Sequence, residues 1–151
     1  MFFIVIGAMS YHSGRSFVAM VNYADLETRS RNALDTMTRD IRQVTRLTSY
    51  TANDLTFQDF DGQPLSYTYN PGNRVLSRTK NGIATPLLTE CDTLSFSTFQ
   101  RNPTNDFNVV STTNTTQVKL IQLNWKCSRT IFKSKVNTES VQSAKIVIRN
   151  Q

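Results

Sequence analysis

The sequence has one histidine, His12, and only two cysteines, Cys91 and Cys127, with no CxxC pair. A single histidine leaves a Ser-His-Asp arrangement without a natural candidate, and two isolated cysteines do not make a structural zinc site by themselves. Glycine-rich phosphate cradles are missing: there is no GxGxxG and no P-loop, and neither HExxH nor GxSxG occurs. No enzyme is expected, and no cofactor or metal. Charge is sparse at 19%, and the net +6 is spread from Arg15 to Arg149 without a dense basic run. That reads as a solvated surface before a nucleic-acid footprint. Long apolar runs are lacking too. "MFFIVIGAM", Met1 to Met9, falls short of the roughly 20 residues that a membrane span needs. It also lacks the basic n-region and small-residue cleavage site of a signal peptide. It reads as the trailing part of a longer apolar helix, or as a short core strand or helix start.

What is present suits a strand-rich, secreted domain: many Thr, Ser and Asn residues in a chain of 151, enough for one domain with a core. The front is different. No Pro or Gly occurs between Arg15 and Asp61. Phe17, Met20/Val21 and Ala24 form a stripe, and Leu34, Met37, Ile41 and Val44 step by three or four, as one helix face does. Arg31, Asp35, Arg39, Arg42 and Arg46 fall mostly off that stripe. Asp35 and Arg39 are spaced for a surface ion pair. A helix over about 17–47 is expected, able to continue back into the apolar segment 1–16. Such a rod is longer than the domain, so its front half must project, into a membrane or against other copies.

The period changes after Thr48. "DLTFQDF", "LSYTY", "RVLSRT", "IATPLLT", "DTLSFSTF", "QVKLIQLNWKC" and "SAKIVIRN" read as strands. Asp61-Gly62, Asn70-Pro71-Gly72-Asn73 and Asn81-Gly82 read as turns. Pro86 excludes "IATPLLT" from the middle of a sheet. Arg101 to Thr116 reads as a polar loop. The expected fold class is α+β: a long N-terminal amphipathic helix packed on an antiparallel sheet spanning about 54–150, six or seven strands in a meander.

Cys91 stands just before one strand and Cys127 just after the next. They are free buried thiols or one disulfide, and the strand reading favours the bridge, which implies an oxidising compartment. Pairing 91 with 127 sets Phe96 opposite Gln122, a core position against a polar one. A one-residue bulge, or cysteines lying just outside the ladder, would repair that register. Asp54, Asp59 and Asp61 lack the spacing of an EF-hand, and turn acids are common for backbone reasons. Asn114-Thr115-Thr116 has the form of a glycosylation sequon. His12 reads as a surface or interfacial histidine.

"RNALDTMTRDIRQVTRLTSY" resembles the helix end of type IV pilin-like proteins, in particular the minor, J-like pseudopilins of type II secretion systems. The order in "NDLTFQDFDGQPLSYTYNPGNRVLSRTKNGIATPLLTECDTLSF" is similar to theirs, with "QVKLIQLNWKC" in the place of a later strand. The resemblance covers roughly Phe17 to Gln151. Family members also begin with a basic leader, a cleavage site before Phe, an early glutamate and about 20 apolar residues. Of these only "MFFIVIGAM" is here. The resemblance implies a structural subunit whose helix packs beside other pilin-like subunits in a short pseudopilus. It implies a single-pass anchor in the bacterial inner membrane, a periplasmic C-terminal domain and a role in protein secretion, with secreted protein cargo as a further partner. Leu34, Met37, Ile41 and Val44 would lie under the sheet. Two alternatives are a periplasmic binding module that grips a protein or glycan with the loop Arg101 to Thr116, and a DNA-binding minor pilin. The latter needs Arg39, Arg42, Arg46, Arg74, Arg78 and Lys80 in one patch; nucleic acid is not the expected partner.

Overall fold

A computed structural model describes residues 2–104, 108–130 and 139–148. The chain opens with one helix, α1 (Phe2–Gln43), of 42 residues. At about 1.5 Å per residue it is roughly 63 Å long. Among the described residues nine strands follow: β1 (Arg46–Tyr50), β2 (Asp54–Gln58), β3 (Pro64–Asn70), β4 (Val75–Lys80), β5 (Ile83–Leu88), β6 (Cys91–Arg101), β7 (Val109–Ser111), β8 (Leu120–Ser128) and β9 (Glu139–Val147). They form two antiparallel sheets rather than one, a five-stranded β1-β2-β3-β4-β5 and a four-stranded β7-β6-β8-β9. The fold is α+β, with one helix packed on antiparallel sheets.

The helix ends before the expected Leu47. Arg46 and Leu47 belong to β1, which pairs with β2. Leu47 takes its place in the ladder opposite Phe57 and is buried there, so the sheet claims it. The expected polar loop after Arg101 contains β7, which pairs with the end of β6.

Turn chemistry holds the first sheet in register. Gly62, Asn81 and Gly82 have positive φ, at 80°, 53° and 76°. The Asn81-Gly82 pair therefore has the left-handed backbone of a two-residue hairpin turn. Asn70 Oδ1 accepts from the backbone N–H of Gly72 (2.9 Å) and Asn73 (3.2 Å). Pro86 lies on β5, an edge strand, where its missing N–H costs no internal ladder bond.

Alternate residues of both sheets turn to a common core. The first sheet contributes Leu55, Phe57, Leu65, Tyr67 and Leu76; the second contributes Leu94, Phe96, Ile121, Leu123 and Trp125. The two sheets meet directly. Phe96 N–H donates to Ala52 O (2.9 Å), and the Tyr50 hydroxyl donates to Phe96 O (3.0 Å). Cys91 N–H donates to Arg74 O (2.9 Å).

The expected single-pass anchor in the inner membrane is corrected: among the described residues no helix is long and apolar enough to cross a membrane. The helix has the length, but "SYHSGRS" follows Met9, so the apolar stretch stops far short of the roughly 20 residues required.

Candidate assembly surface

Along α1 one line of buried positions runs through Leu26, Ser30, Ala33, Met37 and Asp40, followed by Val44 just past its end, with Ile41 buried beside it. Their spacing is four, three, four, three, four, which keeps one side of a helix facing one way. Met37, Ile41 and Val44 are buried in the core with no exposure; Leu34 is half-buried at its rim. Ser30 and Asp40 were missed because the apolar pattern ignores polar members. Their signal was legible all the same: a polar side chain in phase with an apolar stripe needs a buried partner.

Each has one. Asp40 accepts from the Tyr67 hydroxyl (2.6 Å) and from Arg78 Nε (2.6 Å), tying the rear of the helix to the first sheet. Burial, and then the bond to Asp40, push the Tyr67 hydroxyl's pKa well up, and the bond to Asp40 raises that of Arg78. Trp125 Nε1 donates to Ser30 Oγ (3.4 Å). Glu27 accepts from Ser140 Oγ (2.9 Å) and Gln142 Nε2 (3.1 Å) on β9. Arg129 reaches Asn22 (2.7 Å), Asp25 (3.0 Å) and Glu90 (2.6 Å), joining the helix to the junction between the sheets.

The front of α1 behaves differently. Phe17 is 67% exposed, Met20 70% and Val21 52%, and Ala24 is exposed as well. At about 100° per residue, Phe17 lies roughly 180° around the helix from Leu26. The apolar stripe thus changes sides: before Leu26 it faces away from the sheets, after Leu26 it faces into them. Continuing rearward, the outward line becomes polar through Thr28, Arg31, Asp35, Arg39 and Arg42, all exposed. Arg31 pairs with Glu27 (2.9 Å) and Arg29 with Asp25 (3.1 Å). The expected Asp35–Arg39 ion pair is not formed.

Of the six cations named for a basic patch, three have acidic partners. Arg39, Arg42 and Arg46 are exposed, but Arg78 is drawn inward to Asp40, and Lys80 to the buried Asp59 (2.5 Å). Arg74 is bound to Asp92 (2.6 Å) and Ser128 O (2.6 Å) between the sheets.

The turn acids have local work. Asp54 Oδ2 accepts from Thr51 Oγ1 (3.1 Å), Asp61 Oδ1 from Gln63 N–H (3.0 Å) and Asp59 Oδ1 from Phe60 N–H (2.8 Å). Burial works to raise the Asp59 pKa, but Lys80, the Phe60 N–H and Arg78 outweigh it and hold the carboxyl below its ordinary range. Among the described residues no group of three His, Cys, Asp or Glu side chains is placed to hold a metal. Asn114 is exposed and its Oδ1 accepts from Thr116 Oγ1 (2.8 Å). The His12 side chain and residues 105–107 of the polar loop lie outside the described residues.

Cys91 and Cys127 stand directly opposite one another on β6 and β8, both buried. They are free thiols, so the expected bridge is not formed in this structure. The register slips by one residue between Cys91 and Thr93, and Phe96 then faces Leu123. The bulge keeps the aromatic side chain in the core, which is why the uncorrected pairing with Gln122 fails.

No protein-family model, no curated protein and no solved structure matches the chain.

Proposed function

We propose that this chain is a structural subunit of a pilus-like fibre, of the pseudopilin kind that serves type II secretion, and that it assembles through α1. The observation that supports this reading is the change of side in the helix stripe. The inward stripe from Leu26 onward is satisfied by the chain's own sheets. Phe17, Met20, Val21 and Ala24 are exposed on the side away from those sheets, a face suited to cover by another molecule. Neighbouring long helices of pilin-like subunits fit that face, with the exposed Arg39 and Arg42 further along the same line meeting polar or acidic surface.

The magnitudes favour many weak contacts over one strong pair. Burying each large apolar side chain contributes about 1.5–3 kcal/mol at most. Three such side chains barely offset an association cost of roughly 4–15 kcal/mol. A single pair is therefore weak, and a helix packed on several neighbours in a fibre is stable. Secreted cargo stays a possible further partner of the sheets in this reading.

The test has two arms. Sedimentation of the wild type is expected to show concentration-dependent association, abolished by Met20→Glu with an unchanged circular dichroism spectrum. A photo-crosslinking residue at position 20 is expected to capture long-helix subunits in the native host. A wild type that stays monomeric at every concentration and captures no such subunit overturns the proposal.

A further inference from the structure

The two sheets meet at a point built around two thiols. Cys91 and Cys127 are 0% and 1% exposed and face each other across the ladder. Ser128 N–H donates to Glu90 O (3.0 Å), while Cys91 N–H leaves the ladder for Arg74 O (2.9 Å). The 91/127 pair is therefore a non-hydrogen-bonded one, the kind in which the Cα atoms approach to about 4.5 Å. That separation lies inside the range of about 4.4–6.8 Å that a disulfide spans.

The Cys91 thiol donates to Thr93 O (3.3 Å) on its own strand. The neighbouring Cys127 sulfur, with burial, raises the Cys91 pKa, while the neighbouring Cys91 and Ser30 lower that of Cys127. Arg74, Asp92, Glu90, Ser128 and the Tyr69 hydroxyl brace the backbone on both sides, with Tyr69 donating to Cys91 O at 3.0 Å. Nothing in this network depends on breaking the pair apart.

We propose that Cys91 and Cys127 are a dithiol–disulfide site that a small disulfide oxidant closes, locking the junction of the two sheets. The Cys127 thiolate attacks one sulfur of the oxidant RSSR, forming a mixed disulfide and releasing RS⁻. Cys91 then gives up its proton and attacks the Cys127 sulfur, displacing the second RS⁻. In total two Cys thiols and RSSR become one Cys91–Cys127 disulfide and two RSH, and the two electrons pass to the oxidant. The bond closes the segment from position 91 to 127, which carries β6, β7 and most of β8. This inference is independent of the subunit reading above.

The site carries its own reporter. Trp125, the only tryptophan, lies two residues before Cys127 on the same face of β8 and bonds to Ser30 on α1. A disulfide beside an indole quenches its emission. The experiment incubates the wild type with mixtures of oxidised and reduced glutathione, both folded and during refolding from denaturant, so that burial cannot block access. The protein is then denatured, alkylated and weighed. The expected result is loss of two hydrogens, disappearance of both alkylation sites together and a fall in Trp125 emission. Thermal unfolding should shift upward on the order of 10 °C, absent in Cys91→Ser. Cys91→Ser should instead stop at the glutathione adduct on Cys127. Two alkylatable thiols after refolding, a stable single adduct in the wild type, or bonds only between chains would overturn the proposal.

Discussion

The two halves of α1 follow opposite rules on one continuous backbone. Behind Leu26 the apolar side faces the chain's own sheets and each polar intruder on it has a partner. Over Phe17 to Ala24 the apolar side is exposed and uncovered among the described residues. A helix that served only its own core would keep one stripe throughout. The rear half thus belongs to folding, and in the proposed reading the front half serves contact with other subunits.

That division gives predictions with well-separated sizes. The largest concerns Asp40. Removing it in Asp40→Ala leaves Tyr67 and the Arg78 guanidinium without their buried acceptor, and should cost about 3–5 kcal/mol in urea unfolding. Asp40→Asn, which keeps a hydrogen-bond acceptor, should cost less. If the two variants prove equally mild, the rear half is not anchored as described.

Met37→Ala tests the apolar part of the same face. Met37 has no exposure, and the cavity should cost about 2–5 kcal/mol, read as a lower denaturant midpoint at unchanged slope. Equal loss from Met20→Ala would erase the contrast between the halves.

Acid should act next, through the carboxylates in the middle of the helix. The hydrogen bond from Arg31, and then that from Ser140, hold the Glu27 pKa below its ordinary value. Arg29 and Arg129 do the same for Asp25. With folded-state pKa values lowered, their stabilisation is complete above the unfolded carboxylate range and is lost as pH falls through the folded values. The melting temperature should drop on acidification, and Glu27→Gln should flatten that drop. A variant as acid-sensitive as the wild type would show that the link from α1 to β9 carries none of the dependence.

The smallest effect on stability is expected at the front. Phe17→Ser and Met20→Ser should leave unfolding within about 0.5 kcal/mol of the wild type. Their effect should appear only in association, which sharpens the contrast.

Much of this was legible in residue order. Asn81-Gly82 is a hairpin turn because both residues tolerate positive φ, and Pro86 marks an edge because it has no N–H to give. The register of the cysteine strands was half legible: a Phe96–Gln122 pair is poor enough to call for a bulge or for cysteines outside the ladder, and the structure has the bulge. Other features were hidden for identifiable reasons. Leu47 continues the helical spacing, yet β2 offers it a buried ladder position opposite Phe57, and that outweighs one more turn of helix. The split into two sheets has no local signature, because each strand alternates in the same way whichever sheet it joins. The arginines were the most misleading. Arg39 and Arg78 look alike in sequence, but one is exposed and the other is held by Asp40.

By itself, the sequence determined the kinds of element, their turns and the two faces of the helix, because period and backbone tolerance are properties of neighbouring residues. Only the tertiary structure decided which face was covered, which cations remained exposed and that two thiols 36 positions apart lie opposite each other. Those outcomes depend on side chains distant in the chain competing for the same few buried partners, and no short window of residues records the result.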